Sequence, residues 1–323
     1  MNEIAYNDIY GRQFKSLRVS LTQACDFACL YCVPEGLKFK KLKDELKHDE
    51  FKRAILLLHD LIGIEKIRIT GGEPLIYNNF TKFIECLGDI DIGEKSITSN
   101  GSRMERYSDL LWRNGFTRIN FSLDSLDNNK FKKITRGGEL SATLAGIEKT
   151  REIGFKLKMN LVAMRSINHD EIVSVLDFCL ERGIELRYIE LMKMGHVNSF
   201  FESEFIPQRE ILELISAKYN FQKAQAKVDS TSLRYEIPGV GFFGIIANES
   251  SPFCSGCNRL RLTSNGRLYG CISAINSYDI KEALTLSDEQ AKKQVRTLLC
   301  SAMNDKQIKG FIGAPTYMKH LGG

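Results

Sequence analysis

The sequence is poor in several features that mark other classes of protein. Its 323 residues include only six prolines and one tryptophan, and no stretch has low complexity, which argues against a disordered or fibrous chain. The first twenty residues lack both an apolar secretion core and an Arg-rich transit pattern, so we expect a cytoplasmic protein. The most apolar run, residues 54–64, is interrupted by His59 and Asp60 and is too short to span a bilayer, so we expect no membrane association.

Charge is also limited in this chain. Lys and Arg number 45 against 40 Asp and Glu, which gives a net charge of only +5. Nucleic-acid binding usually needs a basic stripe with interleaved aromatic side chains, and the lone Trp112 does not provide one, so we expect no nucleic-acid partner. A mild basic surplus suits an anionic small molecule. The hydrophobic share of 43% is enough for a soluble globular core.

Short apolar runs alternate with amphipathic stretches over the first two thirds of the chain. The predicted strands are residues 17–22, 66–70, 96–98, 118–123, 156–163 and 185–191. The predicted helices between them are residues 47–61, 78–88, 102–114, 139–153 and 169–182. This alternation predicts an α/β fold, a partial (β/α)6 barrel whose chemistry lies at the carboxyl ends of its strands. Because the pattern changes near residue 200, we expect a barrel core at 1–200 and a C-terminal region at 201–323.

Six of the nine cysteines fall into two tight groups. Cys25, Cys29 and Cys32 have C-x3-C-x2-C spacing with no histidine close by, which favours an iron–sulfur cluster over a zinc loop. Three thiolates on a [4Fe–4S] cluster leave one iron open, and the amino and carboxylate groups of S-adenosylmethionine (SAM) can chelate it.

Two motifs resemble those of a known superfamily. CDFACLYC (25–32) is similar to the radical SAM signature, and TGGEPL (70–75) is similar to the glycine-rich SAM motif of the same enzymes. Glycines there let the backbone approach a ligand closely.

The second cysteine group is Cys254, Cys257 and Cys271. Alone, it could equally be a zinc ribbon that lacks one ligand. Arg259 and Arg261 lie between these cysteines on an extended segment, so both side chains point to one face and could clamp phosphates.

The segment FCSGCNRLRLTSNGRLYGC (253–271) resembles the signature of the MoaA family, the GTP 3′,8-cyclases of molybdenum cofactor biosynthesis. The resemblance also includes KIRITGGEPL, INFSLDSLD, LRYIELM and the terminal Gly322-Gly323. It implies a radical SAM lyase with two [4Fe–4S] clusters, in which a SAM-derived radical removes the C3′ hydrogen of GTP and C3′ joins guanine C8. It also implies MoaC as the downstream enzyme, flavodoxin or ferredoxin as electron donor, and a homodimer as the oligomeric state to test.

The resemblance assigns each site residue a role. The SAM cluster would be held by Cys25, Cys29 and Cys32, and the second cluster by Cys254, Cys257 and Cys271. The expected SAM contacts are Tyr31, Gly72, Ser122 and Met192. The expected GTP contacts are Arg18, Arg68, Thr98, Lys158, Arg259 and Arg261, the last two also catalytic, with Lys66 and Arg187 as further candidates. We expect the cationic members to lie at or near strand ends that face one mouth, and only one of Lys156 and Lys158 to point inward.

Two other functions compete with this one. A radical SAM enzyme with an auxiliary cluster could act on a peptide or another substrate, although such enzymes generally carry a longer seven-cysteine motif. A non-catalytic zinc or RNA-binding protein would need four-ligand sites or a basic stripe.

Overall fold

The computed structural model describes residues 7–37, 41–225, 230–307 and 310. Its centre is a single sheet that begins with six parallel strands, β1 to β6. They are Ser16–Ser20, Lys66–Thr70, Glu94–Ser99, Phe116–Ser122, Lys156–Ala163 and Glu185–Glu190. Each pairs with the next in chain order, as the repeated strand–helix pattern predicts.

The C-terminal region extends this sheet at both edges. Its strands, β7 to β12, are Gln222–Lys223, Leu233–Ile237, Gly241–Ile246, Arg259–Leu262, Arg267–Tyr269 and Tyr278–Asp279. β9 pairs in parallel with β6, and β10 pairs in parallel with β1. The remaining four strands add antiparallel edges. Eight parallel strands in the described part of the chain therefore surround the interior, and the C-terminal cysteines are brought beside β1.

Nine α-helices lie in the described ranges, and most cover the outer face of the sheet. They are, from α1 to α9, His48–Ile62, Phe80–Gly88, Met104–Arg113, Asn128–Thr135, Leu140–Ile153, Ile172–Glu181, Phe201–Glu204, Gln208–Ser216 and Asp288–Asn304. The sequence pattern missed α4, although Asp127 caps it by accepting hydrogen bonds from the backbone N–H groups of Asn129 and Lys130. None of the helices described is long and apolar enough to cross a membrane.

Strand alternation decides which side chains reach the barrel interior. In β5, Leu157, Met159, Leu161 and Ala163 are buried against the helices. The residues between them face the opposite way, and both Lys156 and Lys158 line the same interior cavity. The expectation that only one of these lysines points inward was wrong, because residues two apart on a strand share a face.

Candidate active site

The first cysteine loop lines a small cavity at the carboxyl end of the barrel. Cys25, Cys29 and Cys32 surround a space of about 180 Å³. The four expected SAM contacts line the same space: Tyr31, Gly72, Ser122 and Met192. Burial raises the pKa of the Cys29 thiol, and the nearby Cys32 raises it further.

Two glycines set the shape of this cavity. The backbone N–H of Gly72 donates to the carbonyl oxygen of Thr22 at 2.8 Å, which places the glycine turn directly against the cysteine loop. A Cβ on Gly71 would come within 2.7 Å of that Thr22 oxygen, and a Cβ on Gly72 would overlap the carbonyl oxygen of Ala24. Only glycine therefore fits at Gly72 without moving the loop.

Two buried carboxyl groups fix the walls of the cavity. Glu73 accepts hydrogen bonds from the Ser99 hydroxyl at 2.8 Å and the Asn100 N–H at 2.7 Å, and burial raises its pKa to about 8. Asp124 accepts from the Tyr31 hydroxyl at 2.7 Å, and burial raises its pKa to about 6. These contacts hold the turn after β2 and the ring of Tyr31 in place.

A larger cavity lies beneath the first, nearer the amino ends of the strands. It has a volume of about 720 Å³. The cations that line it are Arg18, Lys66, Arg68, Arg118, Lys156, Lys158, Arg187 and Arg259, among others. Arg18, Arg68 and Lys158 therefore share one cavity, as expected, but they lie near the amino ends of their strands and not at the carboxyl ends, where the chemistry was expected.

The cations of this larger cavity are incompletely neutralised. Within the described ranges, no carboxylate forms an ion pair with Arg18 or Arg68. Burial, and then repulsion from the guanidinium groups of Arg261 and Arg68, holds the pKa of Arg18 well below its usual value. Burial and then the nearby Arg187 lower the pKa of Lys158 to about 8, although Glu185 lies 2.6 Å from its Nζ. A polyanion would relieve this repulsion.

The two cavities follow one another along the same strands. On β2, Arg68 lines the larger cavity and Thr70 the smaller one. On β5, Lys158 likewise lines the larger cavity and Asn160 the smaller one. Residues two apart on a strand are separated by about 7 Å, so the cavities adjoin across one layer of side chains. Thr98 lies in the wall of the smaller cavity and accepts a hydrogen bond from the Asn120 amide at 3.4 Å.

The second cysteine group lies beside the larger cavity in a cationic setting. β10 places Arg259 next to Ser16 and Arg261 next to Arg18. The Arg259 guanidinium lies 3.1 Å from the Cys257 sulfur. Burial alone would raise the pKa of Cys257, but Arg259 and Lys306 outweigh it and lower that pKa to about 5. Arg261 is 7% exposed, and burial, followed by repulsion from Arg259, lowers its pKa to about 10.

The donor sets suit the cofactors that the sequence predicts. Both groups supply three free thiols, the ligands that iron–sulfur clusters prefer. In the smaller cavity, the amide oxygen of Asn160 is buried without a hydrogen-bond partner in the described part of the chain. A hydrogen-bond donor on a bound ligand can therefore pair with this oxygen. Gly322-Gly323 lie outside the described residues.

Several site residues were not assigned a role from the sequence. Glu73 belongs to the glycine-rich motif and Asp124 follows β4, but neither was given a role, and Arg118 was seen only as part of a predicted strand. Lys306 carries no motif, and its contact with Cys257 depends on the long-range packing of α9.

Comparison with known proteins agrees with this geometry. Residues 19–179 match the radical SAM superfamily model, and residues 184–311 match the model for molybdenum cofactor synthesis C. The chain is 35% identical to a GTP 3′,8-cyclase of Synechocystis over 89% of its own length and 88% of that protein. It is 36% identical to a GTP 3′,8-cyclase of Alkaliphilus oremlandii over 94% of its length and 93% of that protein.

A solved structure shares the fold. The crystal structure of Streptococcus suis SuiB bound to S-adenosylmethionine superposes with a TM-score of 0.64 at 14% identity. The match covers 91% of this chain and 68% of that one, and at this identity it bears on the fold alone. The sequence relatives carry the assignment further: the chain belongs to the radical SAM superfamily and, within it, to the GTP 3′,8-cyclase family.

Proposed function

We propose that this chain catalyses the cyclisation of GTP in molybdenum cofactor biosynthesis. The C3′ hydrogen of the ribose would pass to the 5′-deoxyadenosyl group, C3′ would bond to guanine C8, and one electron from the reductant with one proton would complete (8S)-3′,8-cyclo-7,8-dihydroguanosine 5′-triphosphate. The observation that carries the proposal is the pair of adjoining cavities, one lined by three cysteines and the other by incompletely neutralised cations. That arrangement suits a radical source placed directly above a nucleoside triphosphate.

In the smaller cavity, the residues hold and orient the radical source. Cys25, Cys29 and Cys32 would ligate the first [4Fe–4S] cluster, and the cluster and SAM, when bound, supply a hydrogen-abstracting 5′-deoxyadenosyl group. The backbone at Gly72 would contact SAM, and the absence of a Cβ lets this turn pack directly against the cysteine loop. Tyr31 is held by Asp124, which fixes the position of its ring against the ligand. Ser122 and Met192 complete the wall.

In the larger cavity, the residues bind the triphosphate and hold the nucleoside in place. Arg18, Arg68 and Lys158 contribute positive charge from three different strands, and Lys66 and Arg187 line the same space. Bidentate guanidinium groups give phosphate both affinity and orientation. Thr98, in the wall between the two cavities, would contact the substrate from above.

Beside the larger cavity, Cys254, Cys257 and Cys271 would hold the second [4Fe–4S] cluster, which would supply an iron without a protein thiolate for binding the nucleotide base. Arg259 and Arg261 connect this group to the cation cavity through the pairing of β10 with β1. They would stabilise the negative charge of the bound nucleotide during cyclisation.

The wider assignments belong to the same proposal. Residues 1–200 would form the radical SAM core and 201–323 the cluster-bearing substrate region. MoaC would consume the cyclised product, and flavodoxin or ferredoxin would supply electrons in the cytoplasm, where thiols stay reduced. Sedimentation of the anaerobic protein would decide whether it forms a homodimer.

Incubation of the reconstituted chain with SAM, GTP and dithionite tests the function. We expect 5′-deoxyadenosine and a cyclised GTP product in equal amounts. Formation of 5′-deoxyadenosine with GTP left intact would instead favour a radical SAM enzyme that acts on a peptide or another substrate.

A further inference from the structure

Lys306 is a buried cation next to a cysteine of the second group. It follows α9, and only 6% of the residue is exposed. Its Nζ lies 3.2 Å from the Cys257 sulfur, 2.7 Å from the carbonyl oxygen of Arg259 and 2.7 Å from that of Gly270. A lysine ammonium has three N–H donors and no acceptor, so these three acceptors match the charged form completely.

These contacts join the segments that carry the second group. Arg259 begins β10, two residues after Cys257, and Gly270 directly precedes Cys271. A Cβ on Gly270 would overlap the carbonyl oxygen of Ala302, so the end of α9 packs directly on the backbone beside Cys271. Lys306 therefore sits where α9 meets both cysteine segments.

Arg12 links Cys254, the remaining cysteine of the second group, to the residues that follow α9. Its guanidinium donates to the carbonyl oxygen of Cys254 at 2.9 Å and to that of Gln307 at 3.2 Å. Asp8 holds Arg12 in position through an ion pair of 2.6 Å. Residues 306 and 307 thus contact all three cysteine segments, directly or through Arg12.

We propose that Lys306 is a positioning residue for the second cluster, which its ammonium holds through Cys257 and makes easier to reduce. The inference rests on the proposed function, in which Cys254, Cys257 and Cys271 ligate that cluster. A thiolate-ligated cluster becomes more negative when it takes up an electron. A buried cation hydrogen-bonded to a ligand sulfur stabilises that reduced state more than the oxidised state.

The test compares three single variants of the full chain, Lys306→Met, Lys306→Arg and Lys292→Met. Methionine keeps the length of the side chain without its charge, and arginine keeps the charge. Lys292 is the matched control, because it lies on α9 in an exposed ion pair with Asp60 at 2.7 Å. Each variant is also made with Cys25, Cys29 and Cys32 changed to alanine, so that electron paramagnetic resonance reports the second cluster alone.

Two readouts are needed, iron per chain and the ratio of reduced to oxidised second cluster at a fixed solution potential. We expect Lys306→Met to lower that ratio about tenfold, which corresponds to 59 mV for one electron. Lys306→Arg and Lys292→Met should stay within about twofold of the parent, because each keeps the charge at residue 306. Loss of the second cluster's iron from Lys306→Met but not from Lys306→Arg would support the same role.

An unchanged ratio in Lys306→Met would overturn the proposal. So would an equal fall in Lys306→Arg, since charge would then not matter. If Lys306→Met lost both clusters and no longer unfolded cooperatively, Lys306 would be needed for the stability of the fold and not specifically for the second cluster. None of these readouts depends on GTP turnover, so a failure of the proposed function would be seen separately.

Discussion

The two cysteine groups have the same number of thiols and opposite electrostatic surroundings. Around Cys25, Cys29 and Cys32 the buried ionisable neighbours are the carboxyl groups of Glu73 and Asp124. Around Cys254, Cys257 and Cys271 they are cations, with Arg259 and Lys306 in direct contact with a sulfur.

This difference indicates a division of labour between the two groups. The Asp124 carboxylate and the apolar walls disfavour added negative charge, so they keep a cluster strongly reducing, as the cleavage of SAM requires. Cations have the opposite effect and also attract an anionic substrate. The first group therefore suits a radical source, and the second suits the binding of a nucleotide.

The largest expected effect comes from adding a side chain at Gly72, in the glycine turn that packs against the first cysteine group. Gly72→Ala should abolish SAM cleavage, with a loss above about 100-fold, because the added Cβ meets fixed backbone beside the cysteine loop. Iron should fall from about eight to about four per chain as the first cluster is lost. Gly93→Ala is the control, since the nearest atom to its Cβ is 3.5 Å away. Full SAM cleavage in Gly72→Ala would show that the loop can move aside.

A change in the cation cavity should affect GTP and spare SAM. Arg18→Ala removes a buried guanidinium, and losing its charge-assisted phosphate bonds, worth about 1.5–3 kcal/mol, should lower kcat/KM for GTP about tenfold to 100-fold. SAM cleavage without GTP and the iron content should not change. Arg209→Ala, on the surface with 87% of its side chain exposed, should behave like the parent. Equal losses in GTP turnover and in SAM cleavage would contradict the assignment of GTP and SAM to separate cavities.

The affinity for GTP should depend on pH through Lys158. The pKa of this lysine is about 8 in the free protein, and a bound triphosphate raises it, so GTP binds best when the lysine is already protonated. Affinity should therefore be full below pH 8 and fall by up to about tenfold per pH unit above it. Equilibrium binding of GTP to the unreduced protein measures this effect. Lys158→Arg should remove the dependence, and an unchanged slope in that variant would assign it to another group.

The smallest expected effect concerns the support of Tyr31. Asp124→Asn keeps a hydrogen-bond acceptor for the Tyr31 hydroxyl but removes the charge, so the KM for SAM should rise about threefold to tenfold, which corresponds to about 1 kcal/mol. The reduction of the second cluster should stay the same. A larger rise in the KM for GTP than in the KM for SAM would show that Asp124 does not act through the SAM cavity.

The sequence predicts the parts of this molecule that local patterns encode. The strand–helix alternation, the cysteine loop and the glycine turn follow from residues close together in the chain. The parallel pairing of β9 and β10 at the two edges does not, because it depends on contacts across the whole fold. Lys306 was missed for the same reason, as 49 residues separate it from Cys257. The error over Lys156 and Lys158 is different, since the period of a strand already places both on one face.

Transfer of deuterium from GTP labelled at C3′ tests the central claim most directly. The reconstituted chain, incubated with unlabelled SAM and dithionite, should yield 5′-deoxyadenosine that carries one deuterium, alongside the cyclised product. Recovery of unlabelled 5′-deoxyadenosine together with intact labelled GTP would contradict the claim that the first cavity delivers its radical to a nucleotide in the second.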